Sequence, residues 1–418
     1  MKRILLKILF LLALSESSYA RRKNPDSWGH IISVNSSGAL SVKAREGRAN
    51  RNLDMYVDKI SSIPSDAFHN LTSVTSFIIR PRPRRLDLDR IWECNPRTVD
   101  ITPQSFNGLP SIEYIFIVCV YFQNALKSSE GFDFLRFLLF ENNNMTAIPQ
   151  EFCEDSPKLE LLIVRYQRIR YLSPESFSRM NTKVLKQLLL EFNGVEYVEP
   201  RTFAKFRQLE LLDLSDNNLE ILRNGTFEGL DELQKLWVFN NSVNNVEPET
   251  FSNLKNLRLL DLRLNRLETL SRGMFDGLSK LERLELFGNP ITTITDNSLR
   301  VTNQLSHLSL SFGEGIQIEP NAFRGFNLTF FILNADELHH LNAGVFSGCT
   351  TECLQLMSNN TINISPNLFK NLTITVGVTI FEPQVSVIDK KSWGLDENVF
   401  IKQNPPLYEF ASIKGHLY

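Results

Sequence analysis

Apolar residues return along this chain on a ruler of 24 positions. Leu185, Leu209, Leu233, Leu257, Leu281 and Leu305 each stand 24 residues after the last, and Leu328 follows after 23. With each of these taken as offset 0, further apolar residues fall at offsets 3 and 5, as Leu212 and Leu214 or Leu260 and Leu262. An asparagine stands at offset 8, as Asn193, Asn217, Asn241, Asn265 and Asn289. A large apolar residue stands at offset 18, namely Phe203, Phe227, Phe251, Phe275, Leu299, Phe323 and Phe346. No such unit buries its apolar face alone, so the units must stack on one another.

The spacing gives each position a role. Offsets 3 and 5 are two apart, so on a strand they share one side while offsets 2, 4 and 6 share the other. The pattern therefore predicts one short parallel strand per unit, with one face to the core. The asparagine comes where the chain leaves the strand, and its amide is expected to satisfy backbone groups that the turn exposes. A row of offset-18 phenylalanines predicts an internal spine. The return segments, such as "EILRNGTFEGLDE", are too short for more than a turn or two of helix.

The ruler extends outward with a poorer fit. Units begin at Leu159, with Gln167 in place of the asparagine, and at Leu135, with Asn143. Strands are expected around Ile112 and Val74, and a first unit ends in Phe68. Toward the carboxyl end come Leu354, Leu356 and Phe369, then Val378, Ile380 and Trp393, then a last strand over 399–404. The expected organisation is a signal peptide over 1–20, a capping segment over 21–49, one solenoid over 50–395 and a capping repeat over 396–418. About fourteen repeats fill the solenoid, with an insertion near 80–98.

The ladder over 185–346 fits L-x-x-L-x-L-x-x-N-x-L and resembles the extracellular leucine-rich repeat family, whose members include Slit-type, Toll-type and small-proteoglycan proteins. The resemblance implies an α/β solenoid, a horseshoe with a parallel concave β-sheet and an irregular convex side, that binds proteins or glycans on its concave face. It also implies cysteine-rich caps, and here the chain departs: "NPPLYEF" has Tyr408 where a cap cysteine would stand, and residues 21–50 hold no cysteine. The irregular, Phe-rich texture is also similar to arthropod proteins named after the non-catalytic subunit of a crustacean luciferase.

The amino terminus bears on the compartment. "MKRILLKILFLLALSESSYA" has a basic start, an apolar run from Ile4 to Leu14 and small residues before a cut after Ala20, as a secretory signal does. The run is too short to span a bilayer, no later run is long enough, and the tail has no lipid-anchor signal. The expected location is secreted, extracellular. Glycosylation sequons at Asn35, Asn70, Asn144, Asn224, Asn240, Asn327, Asn363 and Asn371 agree with that compartment. Asn359 is a ninth, but it also falls on the asparagine ladder. Of five cysteines, Cys94–Cys119 and Cys349–Cys353 are the disulfide candidates, and Cys153 reads as a buried small hydrophobe.

A formal net charge of −2 offers no basic surplus for nucleic acid. Phosphate-loop, nucleophile-elbow, dinucleotide and zinc signatures are missing, so the reading is no enzyme, no cofactor and no metal. What remains is the surface. The offset-4 column reads Ile78, Phe116, Leu139, Ile163, Leu189, Asp213, Trp237, Asp261, Glu285, Ser309 and Ile332. Its early part predicts an exposed apolar strip on the order of 20 Å long. The candidate partner-binding residues are Phe116, Leu139, Ile163 and Leu189, continued by Trp237 and Phe239, with the amino-terminal half favoured. A one-residue slip of register in the early turns would instead turn these residues into core. The insertion "RPRPRRLDLDRIWECNP", with Arg80, Arg82, Arg84, Arg85 and Arg90, is a candidate loop for sulfated glycans or acidic partners. Asp87 and Asp89 beside it make a plain solvated loop the alternative.

Three functions fit: a secreted glycoprotein that binds a protein or glycan partner, a non-catalytic assembly subunit of an extracellular complex, and a soluble receptor-like recognition protein. The sequence leaves the oligomeric state open.

Overall fold

The computed structural model describes residues 30–404 apart from 45–50, 58–59, 70, 82–96, 123–131, 155, 182, 297, 300–303, 337, 359–361 and 382–388. Outside the described residues lie the signal segment, Arg82, Arg84, Arg85, Arg90, Cys94, Asn70 and Asn359. The chain divides into two compact units, Met1–Leu135 and Arg136–Tyr418.

The first unit opens with an antiparallel hairpin, His30–Val34 against Leu40–Ala44, whose second strand pairs in parallel with Phe68–His69. Its principal strands Asn52–Tyr56, Ser76–Arg80 and Tyr114–Val118 are parallel, with Asp54 opposite Ile78 and Ile78 opposite Phe116. Phe68, Phe77 and Phe106 form its aromatic core, with ring centroids 5.1–6.3 Å apart.

In the second unit each turn adds one parallel strand. Phe137–Glu141, Leu161–Arg165, Gln187–Leu189, Leu211–Asp213, Lys235–Trp237 and Leu259–Asp261 are short. Arg283–Ile294, His307–Ile318, Asn327–Asn334, Thr350–Met357 and Thr373–Phe381 are longer, and Phe400–Asn404 is last. Across the short strands register follows the ruler: Leu139 faces Ile163, Ile163 faces Leu189, Leu189 faces Asp213, and Asp213 faces Trp237; among the longer strands it shifts after Leu286 and after Thr351. The early turns of this unit have not slipped.

Offsets 0, 3 and 5 are core, and the offset-18 residues are a stacked spine. Phe251 is fully buried with its ring 5.9 Å from that of Phe227 and 6.2 Å from that of Phe275. The asparagines tie neighbouring turns. Asn217 Nδ2 donates to Leu190 O at 2.9 Å and Leu214 O at 3.0 Å, while its Oδ1 accepts from the backbone N–H of Asn193 and Val195, each at 3.0 Å. Gln167 does the same work in the ladder, accepting from the N–H of Asn143 and Met145 and donating to Arg165 O. Between ladders the return segments are irregular: 3-10 turns at Gln150–Phe152, Pro174–Phe177 and Leu338–His340, and one helical turn at Lys390–Trp393.

One regularity is only partly marked by residue type. The residue before each ladder amide is left-handed: Asn142, Tyr166, Phe192, Asp216, Asn240 and Leu264 have φ between 52° and 56°, and Gly288 has 78°. A branched, bulky residue such as Leu264 adopts this region at a cost, so the ladder imposes it.

Two expectations are corrected here. Cys349 and Cys353 are free thiols, not a bridge. The strand Thr350–Met357 begins between them, so the three steps from Thr350 to Cys353 alone span roughly 10 Å, too far for disulfide geometry. Cys349 is buried, and burial pushes its thiol up to about 12. Arg80 is no loop residue: it ends the strand Ser76–Arg80, pairs with Asp54 at 2.9 Å and lies 5.9 Å over the Tyr56 ring.

Candidate functional site

Parallel strands in register stack like side chains in columns about 4.8 Å apart. On the second unit's sheet, the face away from the core carries three such columns, at offsets 2, 4 and 6. This open face holds most of the residues singled out above.

It is less open at its start than alternation alone implies. Leu139 and Ile163 are each only 4% exposed. Phe137 and Leu161 flank them in register on one side and Glu141 and Arg165 on the other, so the middle column is shut off by its own neighbours. In the first unit Phe116 is 2% exposed. These three residues therefore do not form the expected exposed strip. Leu189, Trp237 and Phe239 are half-buried and do offer surface.

Further along, the columns change from aliphatic to charged and aromatic. Arg165 bridges two acids, Glu141 at 2.7 Å and Glu191 at 2.8 Å. Burial works against its charge, but the two carboxylates more than offset that and raise its proton affinity. Asp261 holds Arg263 at 2.6 Å through two residues' spacing on one strand face. Glu285 holds Arg283 in the same way and also accepts from Ser309 Oγ. Asp213 is another buried acid on this side. It accepts from the N–H and hydroxyl of Ser215 at 2.9 and 2.5 Å. Burial first, and then the charge of Glu191, push its carboxyl well above the usual carboxylate range.

Aromatic rings complete the face. Trp237 stands in register between Asp213 and Asp261. The Arg263 guanidinium lies 5.6 Å over Phe239, His307 packs against Phe330 at 4.9 Å, and exposed Tyr166 stacks on Phe192 at 4.4 Å. Sequence reasoning placed Trp237 and Phe239 here but missed Arg165, Arg263, Arg283 and His307. The available signal was the pairing of opposite charges two positions apart, as in Asp261 and Arg263, on one strand face.

All the described sequon asparagines, Asn35, Asn144, Asn224, Asn240, Asn327, Asn363 and Asn371, are exposed. Asn240 borders the face and donates to Asp216 Oδ1 at 2.5 Å. Among the described residues no helix is long and apolar enough to cross a membrane.

Asp213 gives a pH prediction. A carboxyl raised in the folded state adds stability below its unfolded value, near 3.9, and loses that contribution as pH rises through the folded value. Asp213→Asn keeps an acceptor for Ser215 without the buried charge. It should therefore be more stable than the parent at about pH 7, by on the order of 1–3 kcal/mol, with the gap closing toward pH 4. Thermal melts at both pH values check this; a gap that widens in acid would contradict it.

Such a stack of in-register strands, asparagine ladder and phenylalanine spine defines a leucine-rich repeat solenoid. The chain belongs to the leucine-rich repeat family: a leucine rich repeat model matches residues 183–243 and 232–291, and a BspA type leucine rich repeat region model of six copies matches residues 292–394. It is 31% identical over 103 residues to Toll-like receptor 2 type-2 of Gallus gallus, a stretch covering 24% of this chain and 13% of the receptor. Among solved structures it resembles TLR13 in the TLR13–ssRNA13 complex, at a TM-score of 0.54 and 19% identity, over 85% of this chain and 57% of that one. At that identity the likeness is one of fold.

Proposed function

We propose that the chain is a secreted, non-enzymatic leucine-rich repeat glycoprotein that binds a protein partner on the open face of residues 136–418, centred on Trp237 and Phe239. The observation that carries this reading is the pair itself: two large aromatics, half-buried, on one strand and its exit, with the carbonyl of Val238 between them accepting from the ladder amides of both Asn241 and Asn265. Aromatic anchors of this kind carry a large share of binding energy, and a face already rigid loses little entropy on association. The relation to a Toll-like receptor supports a ligand-binding role, and the repeat and receptor types it matches support a role without catalysis. A signal-like amino terminus, exposed sequons and a Cys119 that is disulfide-bonded support an oxidising, extracellular compartment.

The experiment is capture from the native fluid on the immobilised, glycosylated chain, followed by hydrogen exchange on the complex. Protection is expected over 235–239, 259–263 and 283–287. Protection confined to the return segments or to the amino-terminal hairpin would reject the reading.

A further inference from the structure

Three ion pairs on the open face of residues 136–418 share one arrangement, with the carboxylate beneath and the guanidinium above. The Glu141, Asp261 and Glu285 side chains are 0–5% exposed, whereas those of Arg165, Arg263 and Arg283 are 23–27% exposed. At Arg263 and Arg283 an approaching molecule therefore meets guanidinium edges rather than the acids that hold them, whereas beside Arg165 the second acid, Glu191, is itself 18% exposed. Lys235 and His307 share the offset-2 column with Arg283, as the strand register shows. Burial, and then the charge of Arg283, lowers the proton affinity of both. Two cations, Lys235 and Arg283, thus share one column of the sheet, with a neutral imidazole at His307 beside them. Aromatic rings stand beside these cations: Arg165 lies 5.9 Å over Tyr166, and Arg263 lies 5.6 Å over Phe239.

We infer that the partner is recognised through an acidic, extended segment laid along the Lys235–Leu259–Arg283–His307 column, with an apolar side chain of that segment on Trp237. The inference rests on the binding role proposed above and names the partner's chemistry. Lys235 and Arg283 are two strands apart, about 10 Å, and an extended chain in the polyproline II conformation, with three residues per turn at about 3.1 Å each, covers most of that distance in three residues and returns its side chains to the same side. The segment should therefore carry carboxylates three positions apart. Guanidinium groups already fixed by buried acids form charge-assisted hydrogen bonds to such carboxylates without first being ordered. A dense polyanion fits less well. Asp261 and Glu285 cancel much of the local charge, so little would be gained by releasing counterions from a phosphate or sulfate backbone.

The test uses the full glycosylated chain and a fluorescein-labelled twelve-residue peptide with Glu at every third position and Leu or Ala between. Comparison probes are the same peptide with Gln for Glu, a heparin-derived oligosaccharide and a single-stranded RNA of similar charge, all read by anisotropy at two salt concentrations. Two variants accompany the parent. Lys235→Glu reverses a part-exposed charge, and the double variant Asp261→Leu, Arg263→Met removes a pair without stranding a buried ion.

Binding of the Glu peptide, weakened by salt, absent for the Gln peptide and at least tenfold weaker in Lys235→Glu, is the expected result. Equal binding of the two peptides, or unchanged affinity in both variants, would overturn the inference. So would tighter binding of heparin or RNA through the same residues. Failure here is distinguishable from failure of the binding role. If the captured partner still protects residues 235–239 while the Glu peptide does not bind, the acidic segment alone is rejected.

Discussion

Phe251→Ala lowers the stability of this chain by roughly 3–5 kcal/mol. The ring is fully buried and stacked between Phe227 and Phe275, so its removal opens a void on both sides of one turn. The cost combines the lost transfer energy of the ring with a cavity that the flanking turns cannot close without moving their own spine residues. Each turn contacts mainly its neighbours, so the damage is local first. Denaturant titration with hydrogen exchange checks both parts: the global midpoint falls, and amides of Lys235–Trp237 and Leu259–Asp261 lose protection before those of Thr373–Phe381. A loss below about 1 kcal/mol would mean that the spine does not hold the turns together.

Asn217→Ala is the second large effect, and its cause is polar. The side chain binds three buried carbonyls, of Leu190, Leu214 and Ser215, and two backbone N–H groups, of Asn193 and Val195. Alanine leaves all five without that partner in a region shut to water, and each buried group so stranded costs about 1–3 kcal/mol. Local relaxation recovers part of this, so a net loss of about 3 kcal/mol or more is expected. Gln167 shows that the role belongs to the amide rather than to asparagine itself. Asn217→Gln should accordingly cost less than Asn217→Ala in the same urea titration. Equal costs would assign the effect to packing.

Much of this architecture is legible in the sequence because two periods are superimposed on it. The 24-residue return of leucine and phenylalanine identifies strand, ladder and spine, and the period of two within a strand identifies the face. That was enough to align Leu189 with Asp213 and Asp213 with Trp237, as the structure does. Alternation does not say what covers a face. Leu139 and Ile163 point away from the core and are still closed off, because coverage depends on the size of the neighbours in three columns at once. Nor does close spacing make a disulfide: Cys349 and Cys353 lie four positions apart, but an extended strand separates them.

The left-handed column before the ladder was only partly legible. Asn142, Asp216, Asn240 and Gly288 are types that favour this region, but Tyr166, Phe192 and Leu264 share the conformation without that chemistry. The layered ion pairs were half legible. Asp261 and Glu285 stood in the offset-4 column from the start, but only the structure shows that the acids lie beneath and the arginines above.

The open face of residues 136–418 is the proposed binding surface, and Trp237 is its central side chain. The direct measurement is the affinity of the captured partner for Trp237→Ala against the parent, with folding checked by circular dichroism. Truncating a central aromatic anchor costs about 2 kcal/mol or more, so affinity should fall by roughly thirtyfold with the fold intact. A folded variant that binds as tightly as the parent would contradict the account and place the partner on another surface.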